Sequence, residues 1–243
     1  IGQRVVGYVG FGGLSEFVKI KKELCFSIPN TIPDEKAATL LIAYGSTEIA
    51  LNYKAKLQKN ESLLVLGASS GVGLSAVQIG KAIGAQVIAI ARGEKKCQLA
   101  KAMGADLTFD SNKINLKKEL RKLPSINVIY DPVGGTQFKD VLSAAKPETR
   151  IVPIGFASGE VPNIPANIIM VKNITIIGFQ IATYKSFKPY VLKECFDRLI
   201  DMWLKNLIDP HVANVFSLKD SNKAINVIRE RKSEGKVVVR VCD

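Results

Sequence analysis

The sequence predicts an α/β fold built on a doubly wound parallel sheet of the Rossmann type. From Glu61 onward, short apolar runs rich in β-branched residues alternate with amphipathic stretches. A glycine-rich turn directly follows the first of these runs, and strand-like patterns occur at both ends of the chain. Parallel neighbouring strands require a crossover connection, so this alternation is typical of a parallel sheet covered by helices.

Six strands and the helices that connect them account for the central part of the chain. The predicted strands are 63–66, 86–90, 106–109, 127–130, 150–154 and 174–177. The predicted helices, where apolar residues recur at helical spacing, are 74–83, 95–103, 114–123, 138–145 and 164–170. The sixth strand is expected at an edge of the sheet.

The two ends of the chain have a different pattern. Apolar and polar residues alternate over 4–9 and 14–20, on either side of a glycine-rich turn, which predicts two strands. Pro33 and the acids after it mark the start of a helix, and a second helix is predicted over 47–57. After Tyr184 the predicted order is helix 188–206, strand 212–216, helix 219–231 and strand 237–241.

We expect the strands of both ends to join in one small β-rich lobe, with the nucleotide-binding fold inserted into it. The expected bounds of this lobe are 1–44 and 185–243. The Rossmann domain is expected to comprise 45–184.

The composition excludes several classes of protein. A chain of 243 residues with 47% hydrophobic and 23% charged residues can form a packed core, which argues against disorder. No uncharged apolar run approaches the ~20 residues of a membrane-spanning helix. The four cysteines are far apart and the chain has one histidine, so neither a structural zinc site nor a dense disulfide framework is expected.

The chain is strongly basic, with 34 Lys and Arg residues against 22 Asp and Glu residues and a net charge of +12. Such a charge favours an anionic partner: a phosphorylated cofactor, a nucleic acid or an acidic surface. The densest basic segment, 112–123, has apolar residues at near-helical spacing. It is either a solvated helix face or an anion-binding surface, and no nucleic-acid-binding motif accompanies it.

A glycine-rich segment, Gly67-Ala-Ser-Ser-Gly-Val-Gly73, follows the first strand of the series and leads into the first helix. A turn of this kind lets backbone N–H groups approach a pyrophosphate, and the helix N-terminus adds partial positive charge. The alternative is a tight structural turn. Its position in the first strand–turn–helix unit favours dinucleotide binding.

The residues after the second strand bear on the choice between NAD and NADP. An NAD site usually has an acidic residue there, which accepts a hydrogen bond from the ribose 2′-hydroxyl. This chain has Arg92 instead, with Lys96 one helical turn later, and cations suit a 2′-phosphate. Glu94 opposes this interpretation, although an acid in a first helical turn also suits the helix dipole. The sequence therefore favours NADP, the alternative being that Arg92 and Lys96 are merely solvated.

Several segments together carry a resemblance to a known family. They are Gly2-Gln-Arg-Val-Val-Gly7, Ala43-Tyr-Gly-Ser-Thr-Glu-Ile-Ala-Leu51, Gly67-Ala-Ser-Ser-Gly-Val-Gly73, Asp131-Pro-Val-Gly-Gly135, Ile154-Gly-Phe-Ala157 and Gly235-Lys-Val-Val-Val239. With them the chain resembles the zinc-free quinone oxidoreductases of the medium-chain dehydrogenase/reductase superfamily. Segments 94–100 and 166–174 are similar to those of the quinone oxidoreductase-like proteins within this family.

The resemblance implies a metal-free, NADPH-dependent reduction of quinones or α,β-unsaturated carbonyls by a Rossmann lobe and a partial GroES-like catalytic lobe. The residues implied at the pyrophosphate are Ser69, Ser70, Gly71 and Val72. Those implied around the adenosine 2′-phosphate are Arg92, Lys96 and Ser111. Cofactor contacts are also implied for Val133 and Gly134, after the fourth strand. The nicotinamide end would be approached by Thr47, Ile154, Gly155, Phe156, Phe179 and Gln180.

The chain departs from the family pattern at several positions. Family members usually have glycine where Ser70 stands, and an aromatic residue or histidine near Ser111. They also carry most of the GroES-like lobe ahead of the residues that match Gly2-Gln-Arg-Val5, so we expect this chain to lack the N-terminal part of that lobe. No catalytic residue is assigned: Tyr44 is either a polar contributor near the cleft or, the interpretation we favour, a buried hydroxyl with backbone partners, and His211 is interpreted as structural.

The resemblance further implies a homodimer formed through the edge strand, which would cover its unpaired backbone groups. The expected small-molecule partner is a quinone or an enone; nucleic acid is a less favoured partner, and no membrane association is expected. The alternative function is a catalytically weak NADP-binding or RNA-binding interaction protein that keeps the Rossmann lobe. No targeting segment is visible, and the expected compartment is the cytoplasm or the mitochondrial matrix.

Overall fold

The computed structural model describes residues 1–242. The chain folds into two compact units, one formed by 47–180 and the other by 1–46 together with 181–242. We call them the sheet unit and the terminal unit, and describe each by itself.

The strands of residues 1–242 are short and are numbered in chain order. They are β1 (Val5–Gly7), β2 (Cys25–Ser27), β3 (Ser62–Val65), β4 (Gln86–Ala91), β5 (Leu107–Asp110), β6 (Val128–Asp131), β7 (Arg150–Pro153), β8 (Thr175–Ile176), β9 (Val212–Ser217) and β10 (Lys236–Arg240).

The helices are numbered in the same way. They are α1 (Asp34–Thr39), α2 (Gly45–Glu48), α3 (Gly71–Ile83), α4 (Glu94–Ala102), α5 (Leu116–Lys122), α6 (Gly135–Ala144), α7 (Ala166–Lys172), α8 (Ile181–Phe187), α9 (Pro189–Leu204) and α10 (Ser221–Arg229). Two π-helical segments, Leu40–Tyr44 and Ile49–Lys54, flank α2, and short 3₁₀ turns occur at Lys22–Leu24 and Leu218–Asp220.

The sheet unit is built on a parallel sheet of six strands in the order β5-β4-β3-β6-β7-β8. Helices α3 to α7 supply the crossover connections that parallel neighbours need. The predicted α/β fold with a parallel sheet is therefore confirmed, with strand bounds within two residues of those expected. The sixth strand of the series, β8, lies at the edge of the sheet, as predicted.

The core of the sheet unit lies between the central strands and the helices that cover them. Leu64 of β3 and Ile129 of β6 are buried together with Phe138 and Val141 of α6. Leu120 of α5 belongs to the same cluster. Strand β3 is buried along its whole length, which explains why its residues 63–65 are a continuous apolar run rather than an alternating one.

The terminal unit contains two small sheets. Strands β1 and β2 pair antiparallel, whereas β9 and β10 pair parallel, with α10 between them in the chain. The longest helix, α9, begins with Pro189 at its first position, where the missing N–H removes no helical hydrogen bond. The ring of Phe196 on this helix contacts that of Phe26 on β2, with centroids 4.9 Å apart.

Two expectations for the terminal unit are wrong. Residues 14–20 form no strand, and β1 pairs with β2 instead. Phe17 is 89% exposed and Val18 is 49% exposed, so these apolar side chains are not buried by any other part of residues 1–242. Strands β9 and β10 pair with each other rather than with β1 or β2, because α10 provides the crossover that lets them lie parallel.

The expected pair of helices after Pro33 is a single helical run. Helix α1 begins directly after Pro33, as predicted, and helical segments follow one another without a break to Lys54. No loop separates the two expected helices, because the π-helical segments continue the helical backbone on both sides of α2.

Candidate functional site

The sheet unit has a topological switch point between β3 and β6, where the strand order reverses. In open parallel sheets the loops after the strands at such a point form a crevice that binds ligands. Here those loops are 66–70 and 132–134. They lie against each other, because a β-carbon built on Gly67 would be 3.0 Å from Cγ2 of Val133.

Gly67 and Ser70 shape the turn between β3 and α3. Gly67 has a φ of +55°, a left-handed conformation that favours glycine. The amide of Ser70 donates to the carbonyl oxygen of Gly67 over 2.9 Å. The Oγ of Ser70 accepts from the amide of Gly73 at 3.1 Å and so caps α3. Ser70 has a φ of −77°, so the position at which the family usually has glycine does not require it here.

Gly73 belongs to this turn as well, although it was not predicted as a site residue. A β-carbon on Gly73 would lie 2.8 Å from Cα of Ala68, so any side chain would force α3 away from the turn. Its place as the last glycine of the motif was the signal for this close approach. The amides of Gly71 and Val72 in the first turn of α3 have no acceptor within the helix.

Asp131 organises the loop after β6. Its buried Oδ1 accepts hydrogen bonds from the amides of Val133 and Gly134, at 2.7 and 2.9 Å. Burial raises the pKa of Asp131, and these two amide hydrogen bonds oppose that effect. The carboxyl group thereby holds Gly134 at a φ of +69°. Asp131 belongs to one of the segments that carry the family resemblance, but no role was predicted for it.

The loop after β7 is joined to the loop after β6. The amide of Ile154 donates to the carbonyl oxygen of Asp131 at 2.7 Å. Phe156 packs so near Gly134 that a β-carbon on that glycine would lie 3.1 Å from the Phe156 ring. A β-carbon on Gly155 would be 3.6 Å from the carbonyl oxygen of Pro132. The structure therefore brings five predicted residues together, namely Val133, Gly134, Ile154, Gly155 and Phe156.

Phe179 and Gln180 lie beyond this cluster. They follow β8, which is separated from β6 by β7. Like the Gly67 turn, they lie at the carboxyl ends of the parallel strands, but they are two strands away from the loop that contains Val133. Phe179 is half-buried and Gln180 is exposed.

Thr47 is buried inside the sheet unit. Its hydroxyl oxygen is 2.6 Å from Oγ of Ser75 on α3 and 2.8 Å from the hydroxyl oxygen of Tyr130 on β6. Burial raises the pKa of Tyr130, so its hydroxyl is protonated and able to donate. The side chain of Thr47 thus links α3 to β6, and neither Ser75 nor Tyr130 was singled out from the sequence.

The ends of β4 and β5 carry the residues predicted for a 2′-phosphate. Arg92 directly follows β4 and is exposed, and Lys96 is half-buried in the first turns of α4. Ser111 follows β5, and both its amide and its hydroxyl donate to the carbonyl oxygen of Ala91, at 2.8 and 3.2 Å. The structure therefore places Arg92 and Ser111 on adjacent strand ends.

Asp110, the last residue of β5, is an acidic group at this position that was not predicted as part of the site. Its Oδ1 accepts from the amides of Gly93 and Asn112, at 2.8 and 3.0 Å. These hydrogen bonds, the one from Gly93 foremost, hold the pKa of Asp110 below its ordinary value. Its position at the end of the strand next to β4 could have indicated it.

The two other residues considered from the sequence lie in the terminal unit. Burial raises the pKa of Tyr44, whose hydroxyl forms a hydrogen bond with the backbone of His211. This agrees with the interpretation of Tyr44 as a structural residue. The imidazole of His211 lies beside Gly235, where a β-carbon would be 2.5 Å from its Cδ2.

Within residues 1–242, no group of three or more His, Cys, Asp or Glu side chains is arranged to hold a metal ion. None of the helices in that part of the chain is both long enough and apolar enough to cross a membrane.

Comparison with known proteins gives matches along nearly the whole chain. Residues 71–197 match the family described as Zinc-binding dehydrogenase. The chain is 36% identical over 245 residues to a quinone oxidoreductase-like protein 2 homolog of Nematostella vectensis, covering 98% of the chain and 67% of that protein. It is 28% identical over 230 residues to an acryloyl-coenzyme A reductase of Sulfurisphaera tokodaii, covering 94% of the chain and 65% of that protein.

A solved structure has the same fold. The quinone oxidoreductase of Thermus thermophilus, whose crystal structures include a complex with NADPH, superposes with a TM-score of 0.88 at 26% identity. The match covers 98% of this chain and 77% of that one. The sequence relatives and the shared fold lead to one conclusion: this chain belongs to the zinc-free quinone oxidoreductase family of the medium-chain dehydrogenase/reductase superfamily.

Proposed function

We propose that this chain binds NADPH across the carboxyl ends of its parallel strands and reduces quinones or α,β-unsaturated carbonyls with it. Membership of the family supports an NADPH-dependent oxidoreductase. The acceptor class is our inference. The acryloyl-coenzyme A reductase among the relatives supports an enone-type acceptor, since an acryloyl thioester is an α,β-unsaturated carbonyl.

The observation that carries this proposal is the contact between Gly73 and the turn at Gly67. Because position 73 has no side chain, α3 begins directly behind the turn, at the switch point of the sheet. Helix α3 has 13 residues, and its dipole and unpaired first-turn amides favour a bound anion. The turn therefore fits a pyrophosphate, which Ser69, Ser70, Gly71 and Val72 would contact.

The Ser70 cap limits which amides are available to the pyrophosphate. The side chain of Ser70 already occupies the amide of Gly73. The amides of Gly71 and Val72 are the donors left for phosphate oxygens in the first turn. The departure from the family's usual glycine at position 70 therefore leaves two donors at the helix N-terminus.

The preference for NADPH is attributed to Arg92 and Lys96. An arginine stands directly after β4, where an acidic residue would repel a 2′-phosphate. Two carboxylates lie near this position: that of Asp110 accepts two backbone hydrogen bonds, and that of Glu94 lies 3.6 Å from the ammonium group of Lys113. We infer that Arg92, with Lys96 and Ser111, surrounds the 2′-phosphate.

When bound, NADPH would supply the hydride that reduces the acceptor. The chain would hold the cofactor and orient it: Val133, Gly134, Ile154, Gly155 and Phe156 form the connected loops at which the nicotinamide end is proposed. Backbone donors in such loops can polarise an acceptor carbonyl, so no nucleophilic side chain is required. Thr47 is also proposed at the nicotinamide end, where its hydrogen bonds to Ser75 of α3 and Tyr130 of β6 would hold these two elements together. Phe179 and Gln180 are proposed at the outer side of the nicotinamide end.

Titration calorimetry and an absorbance assay test this proposal. The chain is titrated with NADPH and with NADH. In the assay, the absorbance of NADPH at 340 nm is followed in the presence of the chain and each of a panel of quinones and enones. We expect tighter binding of NADPH and oxidation with at least one acceptor. A folded chain that binds neither nucleotide would refute cofactor binding. Binding without oxidation of NADPH by any acceptor would favour the alternative, a cofactor-binding interaction protein.

The structure of the basic segment 112–123 favours a solvated helix face over an RNA-binding surface. Leu116 and Leu120 of α5 are buried in the core of the sheet unit. The ammonium group of Lys122 pairs with Glu119 at 2.7 Å, and that of Lys113 lies 3.6 Å from a carboxylate oxygen of Glu94. These ion pairs favour a solvated helix face. Salt-sensitive retention of RNA by the chain would contradict this assignment.

We also propose that the chain forms a homodimer through β8. This strand lies at the edge of the sheet and presents unpaired backbone groups on its outer side. Helix α7 precedes it and carries Met170 and Val171, each 72% exposed. An antiparallel or parallel pairing with a second copy would cover both features.

A further inference from the structure

Arg92 is held from both sides by the end of the neighbouring strand. The amide and the hydroxyl of Ser111 donate to the carbonyl oxygen of Ala91, immediately before Arg92. The amide of Gly93, immediately after Arg92, donates to the carboxylate of Asp110 at 2.8 Å. The backbone at Arg92 is therefore fixed by residues of β5 and its loop, 18 or 19 positions along the chain.

The bond between Gly93 and Asp110 also determines where α4 begins. Gly93 is the N-cap residue of α4, has a φ of +86° and has no side chain with which to cap the helix. Its carbonyl oxygen accepts from the amide of Cys97 at 3.2 Å, so it starts the helical hydrogen bonding. Lys96 lies in this first turn. The hydrogen bond that holds the Gly93 amide therefore also holds the backbone of Arg92 and Lys96, from which their side chains extend.

We propose that Asp110 is a positioning residue for the NADP selectivity of this chain. It contacts no part of the cofactor; its carboxylate holds the Gly93 amide, and thereby Arg92 and the start of α4, in place to receive the 2′-phosphate. This inference rests on the proposed function. The carboxylate oxygen that accepts from Gly93 also accepts from the amide of Asn112, so two N–H groups offset part of its negative charge near the proposed phosphate site.

Asp106 offers a matched comparison at the opposite end of β5. It also accepts a backbone hydrogen bond across the sheet, from the amide of Val87 at 2.7 Å, and pairs with Lys81 at 2.8 Å. Removal of its carboxylate is expected to weaken the same two strands but not to change the backbone at Arg92, which Asp106 does not contact through these bonds. A general loosening of the sheet can therefore be separated from the loss of the Gly93 contact.

The test measures dissociation constants for NADP⁺ and NAD⁺ by titration calorimetry on this chain and its variants. We expect Asp110→Ala to lower the ratio of the NAD⁺ constant to the NADP⁺ constant about tenfold, chiefly through weaker NADP⁺ binding. Asp110→Asn retains an acceptor oxygen for Gly93 and is expected to restore most of the ratio. Asp106→Ala is expected to leave the ratio unchanged. Circular dichroism verifies folding, and Asp110→Val, which also lacks an acceptor oxygen, replaces Asp110→Ala if the latter does not fold.

Three results would overturn the assignment of Asp110. The first is an unchanged ratio of dissociation constants in Asp110→Ala. The second is a ratio lowered equally in Asp110→Asn, which would indicate a charge effect, and the third is a ratio lowered equally in Asp106→Ala, which would indicate general loosening of the sheet. A folded wild-type chain that binds neither nucleotide would refute the proposed function and this inference together. A wild type that prefers NADP⁺ but is unaffected by Asp110→Ala would refute the inference alone.

Discussion

A β-carbon on Gly73 would lie 2.2 Å from the carbonyl oxygen of Gly67. The carbonyl oxygen belongs to the backbone, and the backbone also sets the position of a β-carbon, so no change of rotamer can relieve the collision. The start of α3 and the turn before it are therefore one rigid feature, and we expect nucleotide binding to depend on it.

Gly73→Ala is predicted to destabilise the chain by about 3 kcal/mol or more and to abolish NADPH binding. The control is Gly80→Ala in the same helix, where a β-carbon would meet side-chain carbons of the buried Leu63 and Val87 rather than backbone atoms. That variant is expected to cost about 1–3 kcal/mol and to bind NADPH normally. Urea unfolding and titration calorimetry supply the two measurements. Normal NADPH affinity in a folded Gly73→Ala variant would contradict the placement of the pyrophosphate.

Arg92→Ala is predicted to weaken NADPH binding about 10- to 100-fold, because a charge-assisted hydrogen bond to phosphate is lost. Lys96→Ala is predicted to have a smaller effect in the same direction, since a lysine provides a single point charge. NADH affinity should change little in either variant. Lys101→Ala, in the last turn of α4, controls for the loss of one positive charge. If Lys101→Ala weakens NADPH binding as much as Arg92→Ala, the effect is one of net charge alone.

Thr47→Val is predicted to cost about 1–3 kcal/mol of stability. The substitution keeps the shape of the side chain but leaves the buried hydroxyls of Ser75 and Tyr130 with one partner fewer. Chemical denaturation of the single variants and of Thr47→Val combined with Tyr130→Phe measures the coupling between the two hydroxyls. Strictly additive losses would show that the hydrogen bond between them contributes nothing measurable.

The stability of the chain is predicted to fall in acid partly through Asp106. Burial raises the pKa of Asp106, but the hydrogen bonds from Lys81 and from the Val87 amide outweigh this, so the pKa lies below its ordinary value of 3.8. A lowered folded-state pKa stabilises the fold above that ordinary value, and the contribution is lost as the pH falls through the folded-state pKa. The stability difference between wild type and Asp106→Asn should therefore be larger at pH 7 than at pH ~3 in urea unfolding. An equal difference at both values would exclude this linkage.

Ile176→Pro is predicted to prevent dimerisation without unfolding the sheet. The amide of Thr175 donates to the carbonyl oxygen of Thr149, just before β7, and that of Ile177 donates to Ile151 of β7, so the amide of Ile176 points to the outer edge. Proline at this position removes the outward donor alone. Ile177→Pro, by contrast, removes a hydrogen bond to Ile151 within the sheet and is expected to lower stability. Light scattering gives the oligomeric state; a wild-type monomer, or a dimer of Ile176→Pro, would contradict the proposed interface.

The sequence by itself determined the order of the strands and helices in the sheet unit and the place of the glycine turn. These features depend on local preferences: β-branched runs favour strands, and glycine allows the φ of +55° at Gly67. The family segments added the set of residues implied at the cofactor. The strand-like alternation over 14–20 failed as a predictor because it required a covering surface that those residues do not have in the structure.

Only the tertiary structure decided which polar groups meet. Asp110 reaches the amide of Gly93, and Thr47 meets Tyr130, across 17 and 83 positions of the chain. Tertiary structure likewise paired β9 with β10 instead of with the first strands. Such contacts depend on which strand ends become neighbours in the sheet, and residue type and spacing along one chain do not specify that.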